Sequence, residues 1–255
     1  MIIVTGGAGF IGSNLVKALN NLGHKNLIII DNIENNELKK RNLINCSYVE
    51  YYNKNEFIQN IKKRKFSINI DFVFHLGACS STTNFDIEYL NENNLEYSKE
   101  LLNWCNKNRI PIIYASSASI YGRNIKAVKE EDNYNPMNPY ANSKMLFDKY
   151  VTSNFEKFDI PIIGLRYFNV YGKNESHKTN MTSPVFKFWE QLKLNGEIKI
   201  FESFDGYADG EHSRDFISVN DCVDINLFFF KKPQSGIFNV GTGNSFSFNF
   251  VANTI

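Results

Sequence analysis

A chain of 255 residues is long enough to bury a full hydrophobic core and to carry one large α/β unit with a smaller lobe, whereas two independent domains would be cramped. With 28 Lys and Arg against 27 Asp and Glu, the formal charge of +1 offers neither a basic field for nucleic acid nor an acidic field for cations. Cys46, Cys79, Cys105 and Cys222 stand far apart with no CxxC pair, which argues against a zinc knuckle or disulfide framework and for reduced thiols, with no metal site expected.

Met1 runs directly into the apolar stretch Ile2 to Thr5 without a basic leader, so the expectation is a cytoplasmic protein. That strand ends in Gly6-Gly7-Ala8-Gly9-Phe10-Ile11-Gly12, a GxxGxxG spacing just ahead of the helical pattern Ile11 to Leu22. Glycines at 6, 9 and 12 let the backbone turn sharply, approach a pyrophosphate and aim helix N-terminal N–H groups at its charge, which points to a dinucleotide. The next strand, Leu27 to Asp31, closes on Asp31-Asn32, where an acidic residue in such folds reaches the adenosine ribose. A carboxylate there favours NAD, but Lys39, Lys40, Arg41 and Lys54 follow closely enough to neutralise a 2′-phosphate, so these residues leave NAD and NADP both open.

Further β-rich runs, Phe72 to His75, Ile112 to Ala115 and Pro161 to Arg166, alternate with helical spacing such as Leu95 to Asn106. This βαβ rhythm predicts an α/β fold, a doubly wound parallel sheet of Rossmann type with helices on both faces. The apolar run Ile225 to Phe230 is too short for a bilayer and reads as buried helix; no membrane association is expected. After Arg166 come a polar loop (Lys173 to Thr182), a helical stretch (Pro184 to Leu194) and a charged loop (Ser203 to Arg214), which together suit a smaller substrate lobe. Gly236 to Gly243, GIFNVGTG, reads as a strand and turn returning to the first domain. The expected partition is therefore 1–168 with 214–243 for the dinucleotide, and 169–213 with 244–255 for a partial substrate lobe. The scattered asparagines read as compositional drift.

Tyr140-Ala141-Asn142-Ser143-Lys144 is a YxxxK sequence, which on a helix puts phenol and ammonium on one face. A phenol of pKa about 10 needs a shift of about 3 units, roughly 4 kcal/mol, to serve as a base near neutrality, and an ammonium together with a positive nicotinamide ring favours the phenolate. Upstream, Tyr114 to Gly122 carries a strand into a serine-rich turn, and Ser117 is the hydroxyl best suited to share a sugar oxygen with Tyr140.

The glycine loop, Asp31, serine turn and YxxxK, in this order, resemble the extended short-chain dehydrogenase/reductase family of NAD-dependent epimerases and dehydratases. The runs Phe74 to Thr83, Tyr97 to Leu102, Arg166 to Gly172 and Glu175 to Lys178, with Phe201-Glu202, Arg214 to Phe216 and Gly236 to Gly243, are similar to the ADP-L-glycero-D-manno-heptose 6-epimerase branch over nearly the whole chain. The resemblance implies inversion at C6 of the heptose in an ADP-sugar of lipopolysaccharide core synthesis, by transient oxidation with NADP (NAD possible), in a homo-oligomer, a pentamer in that branch. It implies Tyr140 as one acid/base group and Lys178 as the second, with Ser117 and Lys144 assisting. Gly6, Gly9, Phe10, Ile11, Gly12, Asp31, Asn32, Lys39, Lys54, His75, Leu76, Gly77, Ala78, Cys79, Ser80, Asn93, Lys144, Val170 and Lys178 would then line the cofactor. Ser117, Asn169, Asn180, Lys187, Phe201, Glu202 and Arg214 would meet the substrate, Arg214 through its diphosphate.

Two departures accompany this resemblance. Lys187 stands where better-known members carry histidine, and the stretch Asp205 to Ser213 is longer than theirs. The family also continues past GIFNVGTG, so the expectation is a truncated lobe in which the cofactor site is better preserved than the sugar site. The alternatives are a UDP-hexose 4-epimerase, whose chemistry needs only Ser117, Tyr140 and Lys144, and a non-catalytic dinucleotide-binding remnant. A 4,6-dehydratase is disfavoured, because the places where its elimination needs acids hold Ala118 and Ser119.

Overall fold

The computed structural model describes residues 1–34, 36–123, 134–204 and 206–255. The apolar runs of the sequence become β1 (Ile2–Thr5), β2 (Leu27–Asp31), β3 (Glu50–Asn53), β4 (Phe72–His75), β5 (Ile112–Ser117) and β6 (Ile162–Tyr167). Between them lie α1 (Phe10–Asn21), α2 (Glu37–Arg41), α3 (Lys54–Lys62), α4 (Ile87–Leu90), α5 (Tyr97–Lys107) and α6 (Pro139–Thr152). Strands β1, β2, β4 and β6 are buried at every position, as required of a parallel sheet covered on both faces, so their sequences show continuous Ile, Val, Leu and Phe rather than alternation. The half-buried edge strand β3, EYYN, lacks that signature and was not foreseen.

Downstream follow β7 (Asn169–Tyr171), α7 (Pro184–Asn195), β8 (Ser213–Ser218), α8 (Val219–Lys231), β9 (Gly236–Val240), β10 (Ser245–Ser247) and α9 (Phe248–Thr254). The parallel sheet has the order β3-β2-β1-β4-β5-β6-β9. Its direction of winding reverses between β1 and β4, which opens a crevice at their carboxyl ends where ligands bind in such sheets. One core, with Leu15, Val16, Leu19 and Phe229, fills one face; another, with Phe57, Leu101, Leu102 and Phe147, fills the other.

A second, small sheet has the order β10-β8-β7. Here the structure departs from the expected partition: residues 213–218 do not return to the main sheet but pair parallel with β7 and antiparallel with β10. Strand alternation explains how one segment serves both layers. Phe216 packs in the lobe core with Phe188, Phe248 and Val251, and its neighbour Ile217 points into the core under the main sheet. Only β9 closes the main sheet, against β6.

Helix α6 begins at Pro139 behind the Asn138 cap, whose side chain accepts from Ala141 N at 2.8 Å. The four-residue spacing then stacks Tyr140, Lys144 and Asp148 along one face. Asp148 and Arg166 are completely buried, 0% and 1% exposed, and Arg166 Nε donates to Asp148 Oδ2 at 2.8 Å. Ser116 and Tyr114 hydroxyls donate to the same carboxylate at 2.8 and 3.0 Å, and Arg166 also donates to the Tyr121 and Tyr134 hydroxyls, each at 2.8 Å. Every charged atom thus has partners, which is what makes such a pair tolerable in a dry interior. Asp148→Ala should cost ~3–5 kcal/mol in urea unfolding, because it strands the guanidinium without its counter-charge; a loss below about 1 kcal/mol, as for an exposed pair, would refute the pair's role in the fold.

Candidate functional site

The crevice at the sheet's switch point holds two cavities, of about 240 and 450 Å³. Backbone crowding builds their shared floor. Gly6 has φ 67°, and a Cβ on it would lie 2.7 Å from Gly77 Cα; a Cβ on Gly12 would lie 2.1 Å from Gly6 O. Only glycine allows the loop, the start of α1 and the Leu76-Gly77 segment to touch in this way. The result is a cradle open above the N-terminus of α1, the fit expected for a pyrophosphate.

Asp31, 6% exposed, organises the smaller cavity. Its Oδ2 accepts from Ala8 N at 2.9 Å, its Oδ1 accepts from Asn32 N at 2.7 Å, and the Lys39 ammonium pairs with it. The carboxylate is therefore neutralised as well as positioned. Lys54 donates to Asn93 across the same cavity, and burial lowers its pKa.

In the larger cavity, the Ser117 side chain accepts from Ser119 N at 3.2 Å and hydrogen-bonds the Tyr140 phenol. Lys144 Nζ donates to Ala115 O at 2.8 Å, and burial lowers its pKa to about 8. Burial pushes the Tyr140 phenol up while the Ser117 hydrogen bond pulls it down, with a net upward shift. The chain's own groups thus hold this phenol protonated, and the expected downward shift rests on the ammonium acting together with a positive nicotinamide ring. The reason is local: the buried ammonium is engaged with the Ala115 carbonyl within β5, and desolvation dominates the phenol. Lys178 lies with its Nζ 5.4 Å from the centre of the Phe10 ring, and burial lowers its pKa.

The structure gathers most residues expected near a cofactor. Gly6, Asp31, Asn32, Lys39, Lys54, Gly77, Ala78, Cys79 and Asn93 line the smaller cavity. Gly9, Phe10, Ile11, Gly12, Leu76, Ser80, Ser117, Tyr140, Lys144, Val170 and Lys178 line the larger. His75 is a correction: it lines neither cavity and is buried behind them. Ser98 Oγ donates to Asn94 O at 2.6 Å, so it accepts from His75 Nε2 at 2.8 Å; Nδ1 then accepts from Thr5 Oγ1 at 2.7 Å. Burial pushes the imidazole pKa down to about 3, so it works as a neutral linker.

The residues expected at the substrate, Ser117 apart, lie outside both cavities. Asn169 donates to Asp215 O at 3.1 Å, and Lys187 donates to Asn180 O at 2.7 Å. Phe201 packs on Phe248 with ring centres 4.8 Å apart, and the Arg214 guanidinium lies 6.0 Å from the same ring, so these two converge on the lobe. Glu202 is exposed beside Phe201, and Asp205 lies outside the described residues.

Among the wall residues that sequence reading did not single out are Tyr89 and Tyr97 in the smaller cavity and His177 in the larger. The first two flank a π-helical turn, Asn91–Glu96, that no residue pattern announces, because it inserts one residue into an otherwise helical run. Inside that turn Asn94, 1% exposed, accepts from Cys79 N at 2.8 Å and donates to Cys79 O at 3.0 Å and to Ser143 Oγ at 3.1 Å.

The model of the NAD dependent epimerase/dehydratase family matches residues 2–241. The chain belongs to this family. It is 47% identical over its full length to an ADP-L-glycero-D-manno-heptose-6-epimerase of Alkalilimnicola ehrlichii and spans 80% of that protein. Among solved structures it resembles the ADP-L-glycero-D-manno-heptose-6-epimerase of Helicobacter pylori with a TM-score of 0.87 at 32% identity, covering 99% of this chain and 80% of that one. It also resembles a UDP-N-acetylglucosamine 4-epimerase of Methanobrevibacter ruminantium, with a TM-score of 0.83 at 31% identity over 99% and 79% of the two chains. As a member of the NAD dependent epimerase/dehydratase family, the chain is an epimerase built on a dinucleotide site.

Among the described residues, no helix is long and apolar enough to cross a membrane. Gly12→Ala tests the cradle. Its methyl would meet backbone, which cannot swing aside, so dinucleotide binding measured by calorimetry should fall by ~100-fold or more. Unchanged affinity would show that the dinucleotide is held elsewhere.

Proposed function

We propose that this epimerase inverts C6 of the heptose in ADP-D-glycero-D-manno-heptose, giving the ADP-L-glycero form for lipopolysaccharide core synthesis. The observation that carries the reading is the convergence of a Ser117–Tyr140 hydrogen bond, Lys144 and Lys178 on one cavity beside the glycine cradle. The sequence similarity to a heptose epimerase over the whole chain supports the choice of sugar.

A nicotinamide held in this cavity supplies reversible hydride acceptance at the sugar carbon, so no net redox change results. Tyr140, protonated by the chain's own groups, would act as phenolate once a bound nicotinamide adds its positive charge to that of Lys144, and it would then take the hydroxyl proton as the carbinol is oxidised, while Ser117 shares the same oxygen and keeps it within reach of the phenol. Lys144 contributes a positive charge beneath the phenol. Lys178, from the loop after β7, serves as the second acid/base group when the ketone presents its other face. Two groups from different parts of the chain are needed because one side chain cannot reach both faces of a planar carbon.

For the cofactor we favour NADP, with NAD the alternative. The support is that Lys39 already neutralises Asp31 and that Lys54 adds a second cation on the same cavity. Asn169, Asn180, Lys187, Phe201, Glu202 and Arg214 are proposed to meet the substrate from the lobe, Arg214 through its diphosphate. We also propose a cytoplasmic homo-oligomer.

Incubation with ADP-D-glycero-D-manno-heptose should yield the L-glycero epimer without added reductant. Tyr140→Phe should keep the dinucleotide and lower kcat by ~10²–10⁴-fold; wild-type turnover in that variant would remove Tyr140 from the mechanism. Conversion of a UDP-hexose to its 4-epimer, with none of the heptose, would replace the proposed reaction by that of a UDP-hexose 4-epimerase. Dinucleotide affinity should also fall as pH rises through about 8, where Lys144 loses its charge, and Lys144→Met should bind weakly and without that pH dependence; a flat wild-type profile would mean that the ammonium does not act on the cofactor.

A further inference from the structure

The asparagines, read as drift in the sequence, include three that meet along one seam. Asn14 on α1 donates from Nδ2 to Phe10 O in its own helix and to Lys173 O across the seam, each at 2.9 Å. Asn42, just beyond α2, donates to Ala8 O of the glycine loop at 3.0 Å and to Asn174 O across the seam at 3.2 Å. Asn174 itself donates to Ser13 Oγ at 3.1 Å and sits at φ 72°, a conformation asparagine tolerates better than other side chains. His177 Nδ1 lies 3.1 Å from Asn42 Nδ2 and 3.0 Å from Asn174 O, which adds a ring to the same junction.

On its other side the 173–178 loop is held by Glu175, 1% exposed. That carboxylate accepts from Gly172 N at 3.0 Å and from Ser183 Oγ at 2.9 Å. Lys178 N then donates to Glu175 O at 2.9 Å, the turn that brings the Lys178 side chain over Phe10. The loop is fastened at both edges, to the lobe by an acid and to the dinucleotide loop by amides. Amides suit the second edge because each carries two N–H donors, enough to bridge two carbonyls without adding charge beside a phosphate site.

We infer that Asn14, Asn42 and Asn174 form a latch that positions Lys178 against the dinucleotide loop. They are positioning residues for the second acid/base group and touch neither reacting atom. The inference rests on the reading of Lys178 given above, and its test separates the two. Asn42→Leu removes the donors at similar volume, and Asn174→Gly removes the side chain while tolerating the positive φ, so the second variant stands in if the first misfolds.

Turnover and dinucleotide affinity would be measured for both variants, Lys178→Ala and the Asn42→Leu/Lys178→Ala double variant, with hydrogen exchange across 173–178 in the dinucleotide-free proteins. The latch predicts kcat lower by ~10–100-fold, KM and dinucleotide affinity changed by less than about threefold, exchange faster by about tenfold or more, and no further loss in the double variant. Unchanged kcat and exchange in the asparagine variants, beside a slow Lys178→Ala, would overturn the latch and leave the acid/base reading intact. So would an additive loss in the double variant. Wild-type turnover by Lys178→Ala would defeat the acid/base reading and the positioning claim with it, while the exchange data still reported whether asparagines hold the loop.

Discussion

The buried Asp148–Arg166 pair is the interaction on which the geometry of the site depends. Asp148 lies one turn beyond Lys144 on α6, and the hydroxyl that donates to it, Ser116, is the neighbour of Ser117. Arg166 comes from the adjacent strand β6, paired in register with Ser116. One carboxylate therefore ties together the helix that carries the phenol and ammonium and the strand end that carries the serine. A buried ion pair gains little net stability over apolar residues of the same shape, but its directional bonds permit one arrangement of the elements that contribute to it. Asp148 also opposes the effect of burial on the Lys144 ammonium.

The cofactor floor uses a different device, contact between backbones with no side chains between them. Beneath it runs a chain of buried hydrogen bonds from Gly77 N through Thr5, His75 and Ser98 to the backbone of Asn94. Each member has one donor and one acceptor role left, so the neutral imidazole is set in a single tautomer. Asn94 passes the connection on to Ser143, whose hydroxyl donates to Tyr140 O at 2.7 Å. The glycine loop, the π-turn and the first turn of α6 are thereby coupled through groups that never meet a ligand. Satisfied networks of this kind resist small displacements because moving one member unpairs the next.

Much of this was legible in the residues. The buried parallel strands announce themselves as unbroken apolar runs, the glycine spacing identifies the cradle, and YxxxK with the serine turn supplies Tyr140, Lys144 and Ser117, which line one cavity. The errors share a cause. The family resemblance places His75 at the cofactor, yet whether a strand-end side chain faces ligand or core depends on which helix covers it. Strand β8 looked like a return to the first domain, whereas its alternation lets it face two cores. The protonated state of Tyr140 depends on burial and on where Lys144 Nζ points, and spacing cannot report either.

By itself, the sequence determined the fold class and the dinucleotide cradle, and it placed Tyr140 and Lys144 on one helix face. These follow from local rules: periodicity, the steric freedom of glycine, and the stacking of residues four apart on a helix. Only the tertiary structure decided that Asn14, Asn42 and Asn174, up to 160 positions apart in the chain, share one seam. An asparagine's partners are backbone groups, which every residue supplies alike, so no pattern of side chains can show in advance which carbonyl an amide will meet.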